Sequence, residues 1–164
     1  LHRDLKPDNI LLDEYFHPKV GDFGLSKSFN RSIQKSFLHS TANGSIKGTP
    51  TFMAPEIWVN SKYSKSSDVY AFSMILDEIV TGNELFQSQS MYLVLRSVIS
   101  GIRPTIPDSM SKNCENLIRK CWCGDPDQRP TFDEIANIVK NDPKAFINGD
   151  FDQEFFENYV NSLK

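Results

Sequence analysis

The chain has 164 residues, of which 39% are hydrophobic and 24% charged, as expected for a soluble domain with a sizeable core. Its net charge of −3 and pI near 5.6 are unlike those of a nucleic-acid-binding protein, so no nucleic-acid partner is expected. No apolar run reaches the roughly 20 residues of a membrane-spanning helix, so no membrane segment is expected either.

The cysteines favour a reducing compartment. Cys114, Cys121 and Cys123 are odd in number, and the pair Cys121 and Cys123 lacks the second ligand pair of a zinc site. We therefore predict reduced thiols and a cytoplasmic, intracellular location. Because position 1 is Leu and no signal sequence is present, we expect a piece of a longer chain.

The first nine residues carry three polar side chains close together in sequence. Asp4 has a carboxylate, Lys6 an ammonium and Asn9 an amide oxygen. A helix is not expected here, because Pro7 removes a backbone donor and moves Lys6 away from helical geometry. The stretch predicts a loop that turns the three side chains toward one point, with residues 10–12 as a short buried strand behind it.

A second apolar run, Lys19-Val20, leads to Asp22, so residues 10–23 predict two short strands around a tip. Phosphoryl transfer needs a divalent cation, a group that orients the attacking hydroxyl, and positive charge near the phosphate. Mg²⁺ prefers oxygen ligands and keeps several waters, so Asn9 and Asp22 would suffice from the protein. Asp4 would accept the hydroxyl proton, and Lys6 would face the γ-phosphate.

Five motifs, in order and spacing, resemble the eukaryotic protein kinase family over residues 1–140. They are the loop Leu1 to Asn9, Asp22-Phe23-Gly24, the segment Gly48 to Glu56 ending in Ala-Pro-Glu, Asp68 before a long apolar stretch, and Asp127-Gln128-Arg129-Pro130. Alone, the first motif is more typical of a solvated turn and the second of a strand end. Their joint order favours the family.

The resemblance implies a fold that is mainly α with short β-hairpins, the protein-kinase C-lobe with the N-lobe absent. This C-lobe spans residues 1–140, and residues 141–164 form an acidic C-terminal tail with a helix. The implied activity is that of an ATP-dependent serine/threonine kinase in signal transduction, with ATP and Mg²⁺ as cofactors and proteins as substrates. The implied site residues are Asp4, Lys6, Asn9 and Asp22 for catalysis, Lys6, Asn9 and Asp22 for ATP, and Asn9 and Asp22 for Mg²⁺.

Further roles follow from the same resemblance. Lys6, two residues after Asp4, resembles the serine/threonine-specific pattern. Thr49 would hydrogen-bond Asp4 and Lys6, and His2 and Arg3 would support the loop. The stretches Cys121-Trp122 and 129–132 are similar to the tyrosine-kinase-like branch, which contains many serine/threonine enzymes.

Residues 25–47 show no periodicity and predict a surface loop with a tight turn at Asn43-Gly44. The resemblance makes this loop the activation segment. It has no tyrosine, and its hydroxyls are those of Ser26, Ser28, Ser32, Ser36, Ser40, Thr41 and Ser45. A phosphate on one of them would order the loop by pairing with Arg3.

A long helix is predicted from Ser67-Asp68 to Thr81, with Gly82 ending it in left-handed geometry. It is apolar over most of its circumference, which places it in the core. Three shorter helices follow. Their core-facing residues are Met91, Val94, Leu95 and Val98, then Cys114, Leu117, Ile118, Cys121 and Trp122, then Phe132, Ile135, Ile138 and Val139 after a capping box at Thr131.

Two long-range contacts are expected. Asp68 would accept backbone N–H groups from His2 and Arg3, although an ordinary carboxylate at a helix N-terminus is equally compatible with the residues alone. The resemblance favours the contact. Arg129 would pair with Glu56, and because a buried pair costs desolvation, its value would be in fixing the substrate segment.

The sequence contains no Gly-x-Gly-x-x-Gly, no lysine strand for the phosphates and no helix ahead of the catalytic loop. We therefore expect weak ATP binding and an inactive fragment when the chain is alone, with an uncovered apolar face on the long helix. Two hypotheses remain. The first is the C-terminal part of an intact kinase, whose missing N-lobe completes it, and the second is a truncated, non-catalytic, pseudokinase-like binding module. Retention of the four catalytic positions favours the first.

The tail offers one more amphipathic stripe. Phe151, Phe155, Tyr159 and Leu163 would share one face of a helix capped near Asp150. Such a stripe either folds back on its own domain or docks a partner.

Overall fold

The computed structural model describes residues 1–23, 50–60 and 62–147, together with residues 152, 154, 158 and 159. The helices and strands are β1 (Ile10–Leu12), β2 (Pro18–Val20), α1 (Pro55–Asn60), α2 (Lys65–Thr81), α3 (Met91–Ile99), α4 (Lys112–Cys121) and α5 (Phe132–Asn141). Short 3₁₀ turns lie at Pro7–Asn9, Pro50–Phe52, Pro126–Gln128 and Pro143–Phe146. The fold is mainly helical with one small hairpin, as predicted. Within the described ranges, no helix has both the length and the apolar character needed to cross a membrane.

The two strands form the predicted antiparallel hairpin. Ile10 lies opposite Val20 and Leu12 opposite Pro18. The expectation that β1 is buried was wrong, since Leu11 and Leu12 are each 62% exposed. A strand of a two-stranded sheet is covered only when another element packs on its face, and the described part of the chain leaves this face in solvent.

The long helix α2 begins earlier than predicted. Ser64 is its N-cap and accepts the Ser67 N–H at 3.3 Å, while the Ser64 N–H donates to the Ser67 hydroxyl at 3.0 Å. This reciprocal capping box places the start at Lys65, so Asp68 lies inside the first turns. The predicted end is confirmed: Gly82 has φ 66° and donates its N–H to the Glu78 carbonyl.

The core forms where α2 packs against α4. Tyr70 and Met74 of α2 and Cys114 and Cys121 of α4 are all 0% exposed, so the two cysteines belong to the core as predicted. Burial raises the pKa of Cys114 to about 11 and that of Cys121 to about 12, which keeps both thiols neutral. Of the apolar side chains of α2, Ile79 is 70% exposed, whereas Phe72 and Leu76 are partly buried, so the uncovered apolar face expected on this helix is not shown.

The remaining helices differ from prediction in small ways. Helix α1 was not predicted; it begins at Pro55, where the missing N–H is no loss. Helix α3 ends at Ile99, and Gly101, with φ 84°, forms the turn after it. The capping box of α5 is confirmed, because the Thr131 N–H donates to the Glu134 carboxylate at 2.7 Å and the Glu134 N–H donates back to the Thr131 hydroxyl.

Candidate active site

Asp4, Lys6 and Asn9 are brought together by a single 3₁₀ turn at Pro7–Asn9. Lys6 is extended, as a residue before proline should be, and its carbonyl accepts the Asn9 N–H at 3.0 Å. The Lys6 Nζ lies 3.5 Å from the Asp4 Oδ2. The Asn9 Nδ2 donates to the Asp4 carbonyl at 2.7 Å and reaches its Oδ2 at 3.4 Å. One carboxylate therefore has an ammonium and an amide beside it.

Asp22 follows a backbone link between its loop and the first loop. The Gly21 N–H donates to the Asn9 carbonyl at 2.8 Å, so the two loops meet one residue before Asp22. Asn9 is 7% exposed, whereas the Asp22 side chain is exposed and its backbone has φ 52°. Both side-chain hydrogen bonds of Asn9 use Nδ2, and its Oδ1, the atom that would ligate a cation, takes part in neither.

The carboxylate of Asp68 holds the first loop through two backbone hydrogen bonds. Its Oδ2 accepts the His2 N–H at 2.7 Å and its Oδ1 accepts the Arg3 N–H at 2.9 Å, which confirms the predicted contact. Aiming two successive N–H groups at one carboxylate requires an unusual backbone, and Arg3 has φ 74°. Asp68 therefore fixes the backbone of His2 and Arg3, and with it the direction of the chain as it continues into Asp4.

His2 joins the two loops in a way that the sequence analysis missed. The Asp4 N–H donates to the His2 Nδ1 at 3.3 Å, so Nε2 carries the ring proton and donates to the Gly21 carbonyl at 2.8 Å. The Phe23 ring packs on the imidazole with a centroid distance of 5.0 Å. These contacts bridge 19 residues of chain, and no local pattern announces them.

Residues 50–60, which include α1, lie beside this site. A small cavity of about 20 Å³ separates the two, lined among others by Asp4, Phe52, Met53 and Asp68. Thr49, expected to bond Asp4 and Lys6, lies outside the described residues, as do the hydroxyls of residues 25–47.

Arg129 holds this segment through the predicted partner Glu56. Its Nη1 and Nη2 donate to the two Glu56 carboxylate oxygens, each at 2.8 Å. The same guanidinium donates to the carbonyls of Ser66 at 2.9 Å and Cys123 at 2.8 Å. Arg129 itself is buried, at 6% exposed, and its partner residues are partly buried.

Tyr70 and Arg103 complete this support, and neither was predicted. The guanidinium carbons of Arg129 and Arg103 lie 5.1 Å and 5.2 Å from the Tyr70 ring centroid. Burial raises the pKa of the Tyr70 hydroxyl, which stays protonated. The position of Tyr70 in the first half of a long helix does not predict that two arginines from later in the chain contact its ring.

The tail contacts the hairpin at one described residue. The Tyr159 hydroxyl donates to the Phe16 carbonyl at 3.4 Å, and its ring lies 5.5 Å from that of His17. The other members of the predicted stripe, Phe151, Phe155 and Leu163, lie outside the described residues.

Comparison with known proteins agrees with the geometry of the loops. The family model described as "Protein kinase domain" matches residues 1–139. Similar proteins include the probable serine/threonine-protein kinase drkC of Dictyostelium discoideum, 40% identical over 85% of this chain and 18% of that protein. They also include the dual specificity protein kinase shkE of the same organism, 39% identical over 83% of this chain and 19% of its own.

A mouse relative extends the match beyond one organism. It is the ankyrin repeat and protein kinase domain-containing protein 1 of Mus musculus, 36% identical over 83% of this chain and 19% of its own. The chain thus spans less than a fifth of the length of these curated relatives. The chain belongs to the protein kinase family.

Proposed function

We propose that this chain is the C-lobe part, residues 1–140, of an ATP-dependent serine/threonine kinase whose N-lobe lies outside it. One observation supports this above all others. The Asp4 carboxylate has the Lys6 ammonium at 3.5 Å and the Asn9 amide at 3.4 Å, in a loop anchored on Asp68. A binding module would have no need of this arrangement.

The proposed reaction places each group at a defined atom. The oxygen of a substrate Ser or Thr hydroxyl attacks the γ-phosphorus of ATP, and the bond from that phosphorus to the β,γ-bridging oxygen breaks. The hydroxyl proton passes to the Asp4 carboxylate, which is partly buried and accessible from the cavity at the substrate segment. Lys6 offsets negative charge on the transferred phosphoryl group, and Asn9 keeps the Asp4 carboxylate in its orientation.

Mg²⁺ fits the oxygen atoms at the junction of the two loops. Asn9 would supply its Oδ1 and Asp22 its exposed carboxylate, both hard ligands of the kind that Mg²⁺ prefers. When bound, the ion neutralises phosphate oxygens of ATP. Lys6, Asn9 and Asp22 are accordingly the ATP-binding residues that we assign to this chain.

The finer features of the proposal come from the loop itself and from the relatives. Lys6 supports Ser and Thr as the accepting residues of protein substrates, although three relatives are named dual specificity protein kinases. Arg3 supports control by phosphorylation, because its Nε is buried without a hydrogen-bond partner among the described residues. We place the enzyme inside the cell, as reduced Cys114 and Cys121 in the core suggest.

The test is a pair of substitutions in one loop of the full-length protein. Asp4→Asn removes the proton acceptor and should lower kcat by about 10²–10⁴-fold, with the Kd for MgATP changed less than about threefold. Asp8→Asn removes the same charge from an exposed position in the same loop and should leave kcat within about twofold. Unchanged turnover in Asp4→Asn would refute the role of Asp4.

A second measurement separates the enzyme from a non-catalytic binding module. Residues 1–164 alone should give no measurable phosphorylation of a generic Ser/Thr peptide, because nothing in this sequence resembles the phosphate-covering lobe. The full-length protein should give it. Inactivity of the full-length protein, with MgATP bound or not, would favour the module.

A further inference from the structure

A second cavity opens near the C-terminal end of the long helix. Its volume is about 310 Å³, and it lies between the C-terminal end of α2, the loop after it, and the segment that follows α3. Its lining includes Asp77 and Thr81 of α2, Leu85 and Phe86 of the loop, and Pro104. It shares no lining residue with the small cavity at Asp4. The proposed phosphoryl transfer uses nothing in it.

Asp77 is the unusual member of this lining. It is 2% exposed, and its Oδ1 has no hydrogen-bond partner among the described residues. A buried carboxylate without a donor is costly, so such groups are normally paired. Burial, and after it the nearby Glu78, raise the pKa of Asp77 to about 6. At neutral pH the group is an anion whose Oδ1 has no donor in the part of the chain that the structure describes.

The arginine in the same cavity does not supply that donor. Arg103 donates through Nε to the Trp122 carbonyl and through Nη1 to the carbonyls of Val98 and Ile102, each at 3.0 Å. Its guanidinium also lies against the Tyr70 ring. Among the ion pairs of the described residues, none joins Arg103 to Asp77.

The rest of the cavity lining is partly apolar and partly acidic. Leu85, Phe86 and Pro104 offer apolar surface, and Glu84 adds an exposed second carboxylate. Ile102, which also lines the cavity, is 57% exposed and offers an apolar contact beyond it. The site therefore suits a group with a positive head, an aliphatic stem and further residues attached.

We propose that this cavity binds a lysine or arginine side chain presented by a partner protein, with its cationic head donating to Asp77. The stem would pack on Leu85 and Phe86, and the volume, at the lower end for ligand sites, suits one long side chain. A charge-assisted hydrogen bond to a desolvated carboxylate is among the stronger polar contacts. Ile102 favours a peptide over a free polyamine, since only a peptide has neighbouring residues to cover it.

The test measures binding rather than turnover, so it is independent of the proposed kinase activity. The probe is Nα-acetyl-lysine N-methylamide, which keeps the side-chain ammonium. Its binding to the full-length protein is measured by saturation-transfer NMR. Its uncharged match is N-acetyl-norleucine N-methylamide. Wild type should bind the lysine probe saturably, and Asp77→Asn should weaken it about tenfold or more. Asp108→Asn removes an equal charge from an exposed position outside the cavity lining and should change Kd less than about threefold.

Two further arms keep the result decisive. Gln89→Lys places an ammonium at the edge of the cavity without touching Asp77, and should abolish probe binding even if Asp77→Asn does not fold. Putrescine should bind more weakly than the lysine probe. Equal binding of the lysine and norleucine probes, equal binding by wild type and Asp77→Asn, or tighter binding of putrescine would overturn the proposal.

Discussion

Arg129 and Glu56 are joined by two hydrogen bonds of 2.8 Å across 73 residues of chain. The Arg129 side chain is 0% exposed and that of Glu56 is 9% exposed, so both charges are almost fully desolvated. Each partner alone would be a buried charge without compensation. This pair fixes α1, and with it the segment that lies beside Asp4.

Arg129→Met should therefore destabilise the full-length protein by about 3–5 kcal/mol, since it leaves the Glu56 carboxylate buried without its partner. Chemical denaturation gives this free energy of unfolding directly. Lys112→Met is the matched control. The Lys112 side chain is 83% exposed, and losing its ion pair with Glu115 should cost at most about 1 kcal/mol. Similar costs for the two variants would contradict the buried pair.

Tyr70→Phe should be neutral or stabilise the protein by about 1 kcal/mol. The Tyr70 hydroxyl is buried without a hydrogen-bond partner among the described residues, whereas its ring meets the guanidinium groups of Arg103 and Arg129. Tyr70→Leu keeps an apolar side chain but loses both cation–π contacts, and should cost about 2 kcal/mol or more. The denaturant midpoints of the two variants distinguish the contribution of the Tyr70 ring to stability from that of its hydroxyl. A large loss in Tyr70→Phe would show that the hydroxyl is satisfied.

Asp68→Asn should lower kcat by about tenfold or more while the protein stays folded. An amide has one acceptor oxygen, so its NH₂ group would oppose either the His2 or the Arg3 N–H and release the strained loop at Arg3. Steady-state kinetics and thermal melting should be measured together. Asp133→Asn, at an exposed carboxylate in the first turn of α5, should leave kcat unchanged. A fall in melting temperature without any fall in kcat would argue against positioning.

Asp77 predicts a specific pH dependence of stability. Its folded-state pKa of about 6 lies above the ordinary 3.8, so between these values the folded state holds more protons than the unfolded state. Stability contributed at this site is therefore lost as pH rises from about 4 to above 6, by on the order of 2–3 kcal/mol. Glu78 on the same helix adds to the shift.

Among the described residues of other elements, Cys114 of α4 interacts electrostatically with Asp77, and Glu84 and Arg103 line the same cavity. Burial holds the pKa of Cys114 at about 11, so this thiol does not titrate in the same range. The measurement is the free energy of unfolding of wild type and Asp77→Asn between pH 4 and 8. As pH rises, the free energy of unfolding of wild type should fall relative to that of Asp77→Asn. A constant difference would show that Asp77 titrates normally.

Local signals predicted the elements well. The capping box at Thr131, the end of α2 at Gly82 and the core faces of α3 and α4 each depend on residues within one or two turns. Where two local signals compete, the choice was wrong: Ser64 rather than Ser67 caps α2. Both serines satisfy the sequence pattern, and only the backbone direction at residue 64 distinguishes them.

The sequence by itself determined the family and the mainly helical fold, because ordered motifs and short-range periodicity carry that information. The pairings of Asp68 with the first loop and of Glu56 with Arg129 were implied by the resemblance to the family, and the structure contains both. Only the tertiary structure decided that β1 lies exposed, that His2 bridges two loops, and that Asp77 lines a cavity with its Oδ1 lacking a donor among the described residues. Burial and the supply of hydrogen-bond donors depend on which distant elements meet. The sequence around a single residue therefore does not determine its burial or its hydrogen-bond donors.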